Sequence, residues 1–112
     1  MVSIQEEKVY FEVFANLFKG IEAVGGKLKI TENKLIFQSH AINIQTGTTE
    51  VLIKQIAKVK KRNTLGIIPN GMSVITVDGT EYKFVLWNRS KIIYFINKRI
   101  DNCESNLNKK SL

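Results

Sequence analysis

Five cations crowd into nine residues of this chain: Lys54, Lys58, Lys60, Lys61 and Arg62. Read as a strand, the alternation sends Lys58, Lys60 and Arg62 to one side, spaced to track the phosphates of an anionic lipid surface or a nucleic acid. On an edge strand the same charges would keep a second sheet from pairing there, a role that needs no ligand. No aromatic residue lies between Phe37 and Tyr82, so the cluster has no neighbour in sequence to stack on bases. Nucleic acid is therefore a poor fit, and edge protection is the simpler account.

Catalytic chemistry finds less material. His40 is the only histidine and Cys103 the only cysteine, and neither has partners at metal-ligand spacing. The two aspartates, Asp78 and Asp101, read as a turn residue and a helix-end residue. Phosphate-loop, nucleophile-elbow and His-Glu-x-x-His patterns are absent. Neither an active site nor a metal or cofactor is expected.

Two apolar features have the chemistry to meet a partner. Trp87 falls between the last predicted strand and a final helix, where it either packs the helix onto the sheet or anchors a partner. Leu65, Ile67 and Ile68 precede Pro69 and either fold over the core or stay exposed to a partner or membrane surface. Packing is the simpler account of both.

These residues need elements to hold them. Turn signals recur about every ten residues, at Gly25-Gly26, Gly47, Gly66, Pro69-Asn70-Gly71 and Asp78-Gly79, which favours many short strands. Residues 9–17 alternate irregularly. Residues 27–31 alternate cleanly, with Leu28 and Ile30 inward and Lys27 and Lys29 outward. Glu32-Asn33 predicts a two-residue hairpin in which Asn takes the left-handed backbone. Leu35 and Phe37 share a face of the next strand, Gln55 marks a bend, and Met72 to Val77 is expected as a strand after the Pro69-Asn70-Gly71 turn. A strand from Glu81 to Leu86 completes a count of seven.

The period then changes. Ile92, Ile93, Phe95, Ile96 and Ile100 form one helical stripe, with Asn88 or Ser90 as N-cap and Lys98 and Arg99 complementing the dipole at its end. The resulting architecture is mainly β: a bent seven-stranded antiparallel sandwich or barrel, closed by one C-terminal α-helix. Residues 1–100 form the domain, and 101–112 are expected as a polar, frayed tail.

The order of elements, with Phe18 to Leu28, Thr31 to Phe37, Ile42 to Gly47, Ile56 to Val59, Asn63 to Gly71 and Asp78 to Phe84, resembles the GRAM family of pleckstrin-homology-like domains. The likeness runs from about residue 9 to residue 100 and is nearest to compact bacterial members. It implies the bent sandwich with its helix, and a role in binding lipid or protein rather than catalysis. In pleckstrin-homology domains that grip inositol phosphates, basic residues cluster around the junction of the first two strands. Lys19, Lys27 and Lys29 approximate that pattern, with Lys29 where the family favours arginine. An ammonium holds phosphate as a point charge, without the rigid guanidinium fork.

With 112 residues, 17 basic against 10 acidic and a net charge of +7, the chain suits one soluble domain that attracts anionic partners. The lone cysteine excludes an internal disulfide, as expected of a reducing cytoplasm. The first residues lack the pattern of a secretory leader. Heavy use of Lys, Ile and Asn points to an AT-rich, low-GC bacterial source. The functional expectation is a cytoplasmic adaptor that binds a protein or peptide, or a second copy of itself. The alternative is peripheral attachment to the inner face of an anionic membrane through the lysine clusters.

Overall fold

The turn punctuation and the late change of period give seven strands and one long helix in the computed structural model, which describes residues 8–40, 48–64 and 68–110. The strands are β1 Val9–Lys19, β2 Glu22–Thr31, β3 Lys34–Ser39, β4 Thr48–Leu52, β5 Ile56–Thr64, β6 Ile68–Thr76 and β7 Glu81–Leu86. A single 3₁₀ turn, Ile53–Gln55, joins β4 to β5, and helix α1 runs Arg89–Lys110. All pairings are antiparallel, in the order β4-β3-β2-β1-β7-β6-β5.

Strand β1 is the spine. It pairs with β2 along its whole length but with β7 only from Ala15 to Phe18. In a flat sheet β3 and β7 would lie three spacings apart, about 14 Å. Their side chains Phe37 and Phe84 nevertheless meet with ring centroids 6.0 Å apart, so the sheet bends over on itself. The bent sheet stays open, with β4 and β5 as its two edges. One core joins Leu28, Leu35 and Phe37 of one half to Met72, Val74 and Phe84 of the other.

The helix completes that core. Ile92 and Ile96 are fully buried, and Ile93 and Ile100 are nearly so, against β5, β6 and the 3₁₀ turn. Complete burial of an isoleucine side chain contributes about 2 kcal/mol. The stripe is therefore what fixes the helix to the sheet. The helical backbone runs on to Lys110, past the stop expected at Ile100. Asp101 is consequently an interior helix residue, and Lys98 and Arg99 do not sit at a C-terminus.

Three turns differ from their sequence reading. Pro69, Asn70 and Gly71 are not a turn but part of β6, which starts at Ile68. Gly71 is needed because it lies opposite Arg62, whose carbonyl oxygen would be 2.7 Å from an added Cβ. Gly25 and Gly26 likewise lie inside β2. The Glu32-Asn33 hairpin forms, but Asn88 is the one non-glycine residue with positive φ among those described, at 63°. The hairpin is fixed instead by Thr31, whose hydroxyl oxygen accepts the N–H groups of Asn33 (3.3 Å) and Lys34 (3.1 Å). Asn88 takes the left-handed backbone that Asn tolerates at the corner where the chain leaves β7 for α1.

Candidate functional site

The basic residues do not converge. Gly20 (φ 65°) and Ile21 make the β1–β2 junction a tight two-residue turn. Lys19 ends β1 beside this turn, whereas Lys27 stands opposite Phe14. The five residues from Phe14 to Lys19 span about 17 Å along the ribbon. Lys27 and Lys29 share the outward face, as their alternation requires. A carboxylate is already in place there, with Glu12 Oε2 lying 3.2 Å from Lys27 Nζ and the Lys27 ammonium 5.6 Å from the Phe14 ring centroid.

Strand β5 is an edge, so four of the five clustered cations, Lys58, Lys60, Lys61 and Arg62, occupy the position where charges oppose sheet extension, while Lys54 sits in the 3₁₀ turn before it. Lys58, Lys60 and Arg62 lie opposite Ile75, Ser73 and Gly71 and project to the outer side. Arg62 is engaged within the fold. Its Nε donates to Ser73 Oγ, its Nη2 lies 3.1 Å from Glu81 Oε2, and Ser73 Oγ donates to the same carboxylate at 2.7 Å. The hydrogen bond from Ser73, helped by Arg62, holds the Glu81 carboxyl below its ordinary pKa. From the start of α1, Arg89 Nη1 donates to the carbonyls of Arg62 and Gly71 (3.1 Å) and to Asn63 Oδ1 (3.2 Å). Lys58 and Lys60 remain exposed, and among the described residues neither has a carboxylate partner. Nothing in the local sequence marks Ser73, Glu81 or Arg89, because their partners lie 8 to 27 residues away.

Aromatic surface is the more distinctive feature. Trp87 is 71% exposed and Phe14 69%. Trp87 therefore does not pack the helix onto the sheet, contrary to the simpler sequence account. With His40, whose ring lies 5.6 Å from Phe14, they border a cleft of about 270 Å³ floored by Gly25, Gly26 and Leu86. Leu65 and Ile67 lie outside the described residues, and Ile68 opens β6.

A larger cleft of about 460 Å³ separates β1 from α1. A register shift between Val9 and Phe11 makes Tyr10 a bulged residue. A bulge sends neighbouring side chains to one side, and both Tyr10 and Phe11 touch Phe95 of the helix, at 5.0 and 5.5 Å between centroids. Tyr94, 65% exposed, stands at the rim.

The groups weighed for catalysis are scattered. His40 sits on the Phe14 face and Cys103 lies far along α1. Asp78 accepts the Thr76 hydroxyl and the Thr80 N–H (3.1 Å) in the β6–β7 turn, bonds that lower its pKa. Among the described residues no three of His, Cys, Asp and Glu gather to hold a metal ion, and no helix is long and apolar enough to cross a membrane.

A bent seven-stranded antiparallel sheet with one helix against its core is the pleckstrin-homology-like fold, whose domains are binding modules for proteins or lipids. The N-terminal pleckstrin-homology domain of human ARAP2 superposes with a TM-score of 0.67 at 11% identity, covering 89% of this chain and 85% of that one. The Vps36 N-terminal domain of the same type gives 0.67 at 12% identity, over 93% and 86%. The C-terminal domain of an unknown protein from Leishmania infantum gives 0.71 at 17%, over 84% of each chain. At such identities the likeness is one of fold. Within this class the chain belongs to the GRAM domain family, whose model matches residues 2–105. No functionally curated protein matches it.

Proposed function

We propose that this chain is a non-catalytic binding module whose ligand is a protein or peptide, acting as an adaptor. The observation that carries the reading is the set of large exposed aromatics, Phe14, Trp87 and Tyr94, placed beside clefts. Exposed aromatic side chains in concave settings are the usual anchors of protein recognition. The cations suited to a phosphate headgroup are dispersed or already paired, Lys27 with Glu12 and Arg62 with Glu81. A tight β1–β2 turn also leaves no loop to wrap around a phosphate.

Membrane attachment is favoured by one observation, the exposed Lys58 and Lys60 on an edge strand, which have no carboxylate partner among the described residues. That version would place the protein at the cytoplasmic face of an anionic bilayer and make binding fall steeply with salt. Co-sedimentation with phosphatidylglycerol vesicles across a salt series separates the two. The peptide reading expects no sedimentation at physiological salt and no difference for the Lys58→Glu/Lys60→Glu variant. Salt-sensitive sedimentation abolished by that variant would replace the peptide reading with the membrane one.

A further inference from the structure

Resting on the peptide-binding reading, we infer that the cleft between β1 and α1 receives an extended acidic segment with large apolar side chains, aligned along the free edge of β1. Three observations on different elements converge there. The first is backbone. β1 pairs with β7 only from Ala15 to Phe18, so residues 9–14 have a strand partner on the β2 side alone among the described residues. A strand edge of this kind supplies main-chain donors and acceptors to an added chain.

The second is shape. The bulge at Tyr10 turns it and Phe11 toward Phe95. Phe11, Tyr94 and Phe95 line an apolar trough of about 460 Å³. A trough between a strand and a helix accepts one or two side chains from a linear segment. It does not match the plane of a bilayer.

The third is charge. Lys91 and Lys98 line the trough, Lys8 sits 5.0 Å from the Tyr10 ring centroid, and Lys98 sits 5.7 Å from that of Tyr94. Among the described residues neither lining lysine has an ion-pair partner. Of the carboxylates near these elements, Glu12 is turned to the outer face with Lys27, and Asp101 makes no ion pair with Lys98. An apolar floor with a cationic rim complements glutamate or aspartate alternating with apolar residues, because alternate side chains of an extended segment face opposite sides. A second copy is disfavoured, since it would bring a chain of charge +7 against its like.

Phage-displayed random twelve-residue peptides panned on the full chain provide the probe. The expected yield is peptides rich in Glu or Asp between large apolar residues. They should bind the Lys91→Glu/Lys98→Glu variant at least about tenfold more weakly, as expected for reversing two contacts. Tyr94→Ala should also weaken them, and alternate amides within residues 9–14 should gain hydrogen-exchange protection. These side chains are exposed, so unchanged thermal melts establish that the variants fold.

Selected peptides that ignore both variants but are lost in Trp87→Ala would overturn this site while leaving the peptide-binding module intact. No selectable peptide at all would sink both. Phosphatidylglycerol vesicles, or a second copy detected by sedimentation, dependent on Lys91 and Lys98 would assign the trough to another ligand and overturn the peptide.

Discussion

Arg99 on the helix reaches Glu32 in the β2–β3 hairpin, 67 residues earlier. Its Nε donates to the Glu32 carbonyl at 3.2 Å, and its Nη2 lies 3.3 Å from the Glu32 carboxylate. The contact ties α1 to the hairpin distant from Arg89, which clamps β5 and β6 at the other end of the isoleucine stripe. Two arginines therefore tether the helix at either end of its buried stripe.

Arg99→Ala should cost about 1 kcal/mol, the sum of a modest exposed ion pair and one hydrogen bond to a carbonyl. Thermal denaturation should show a Tm lower by about 4 °C. Arg99→Lys should recover only part of this, since an ammonium cannot hold carbonyl and carboxylate in one fork. Full recovery by lysine would show that charge alone matters.

The adjacent glycines of β2 should behave differently. An added Cβ at Gly26 would collide with the Gln38 carbonyl and come within 2.8 Å of Phe37 Cζ. Backbone cannot yield cheaply, so Gly26→Ala should destabilise by about 3 kcal/mol. At Gly25 the nearest atom is Asn16 Oδ1, at 3.2 Å, on a side chain free to turn aside. Gly25→Ala should cost less than about 1 kcal/mol. Urea denaturation of both variants makes the comparison, and equal losses would refute it.

Ile96→Ala, at a fully buried position, should cost about 3 to 4 kcal/mol, combining lost burial with the cavity left behind. Trp87→Ala should change stability by less than about 0.5 kcal/mol, because the indole is mostly in water. As the only tryptophan, Trp87 also reports directly: its emission should be that of a solvated indole, freely quenched by acrylamide. A blue-shifted, protected emission would contradict the exposed placement.

Acid should weaken the fold through two carboxyls. Hydrogen bonds from Ser73 and Thr76 depress Glu81 and Asp78 below ordinary values of 4.5 and 3.8. A depressed folded pKa means the folded state holds its proton less tightly than the unfolded chain. The stabilisation is therefore complete above the ordinary values and is lost as pH falls through the depressed ones. Urea midpoints should be flat, for these groups, above about pH 5 and decline below it. In Glu81→Gln the decline should be shallower, and an unchanged slope would remove Glu81 from the account.

The local rules in the sequence carried the secondary structure far. Alternation placed Leu28, Ile30, Leu35 and Phe37 inside and Lys27 and Lys29 outside. A repeat of three and four put Ile92, Ile96 and Ile100 on the buried stripe. Each of these rests on side-chain periodicity over a few residues, which the chain displays before it folds. Where punctuation was read alone, it misled. Gly25-Gly26 and Pro69-Asn70-Gly71 serve close strand approach rather than turning, and a glycine does not announce which of the two it is for. Helix length was likewise hidden, since the backbone continues to Lys110 without the apolar stripe that marked its first half.

The surface proposed for binding was scarcely visible beforehand. Lysines were legible as clusters, but Arg62 is tied to Ser73 and Glu81, Lys27 to Glu12, and Trp87 stands in solvent. The trough of Phe11, Tyr94 and Phe95 joins residues more than eighty positions apart beside a one-residue bulge. The sequence by itself determined the strands, the helix stripe and the sign of the charge, because those follow from neighbours along the chain. Tertiary structure alone decided which cations were already paired and which aromatics face water, because both depend on what the bent sheet brings against them.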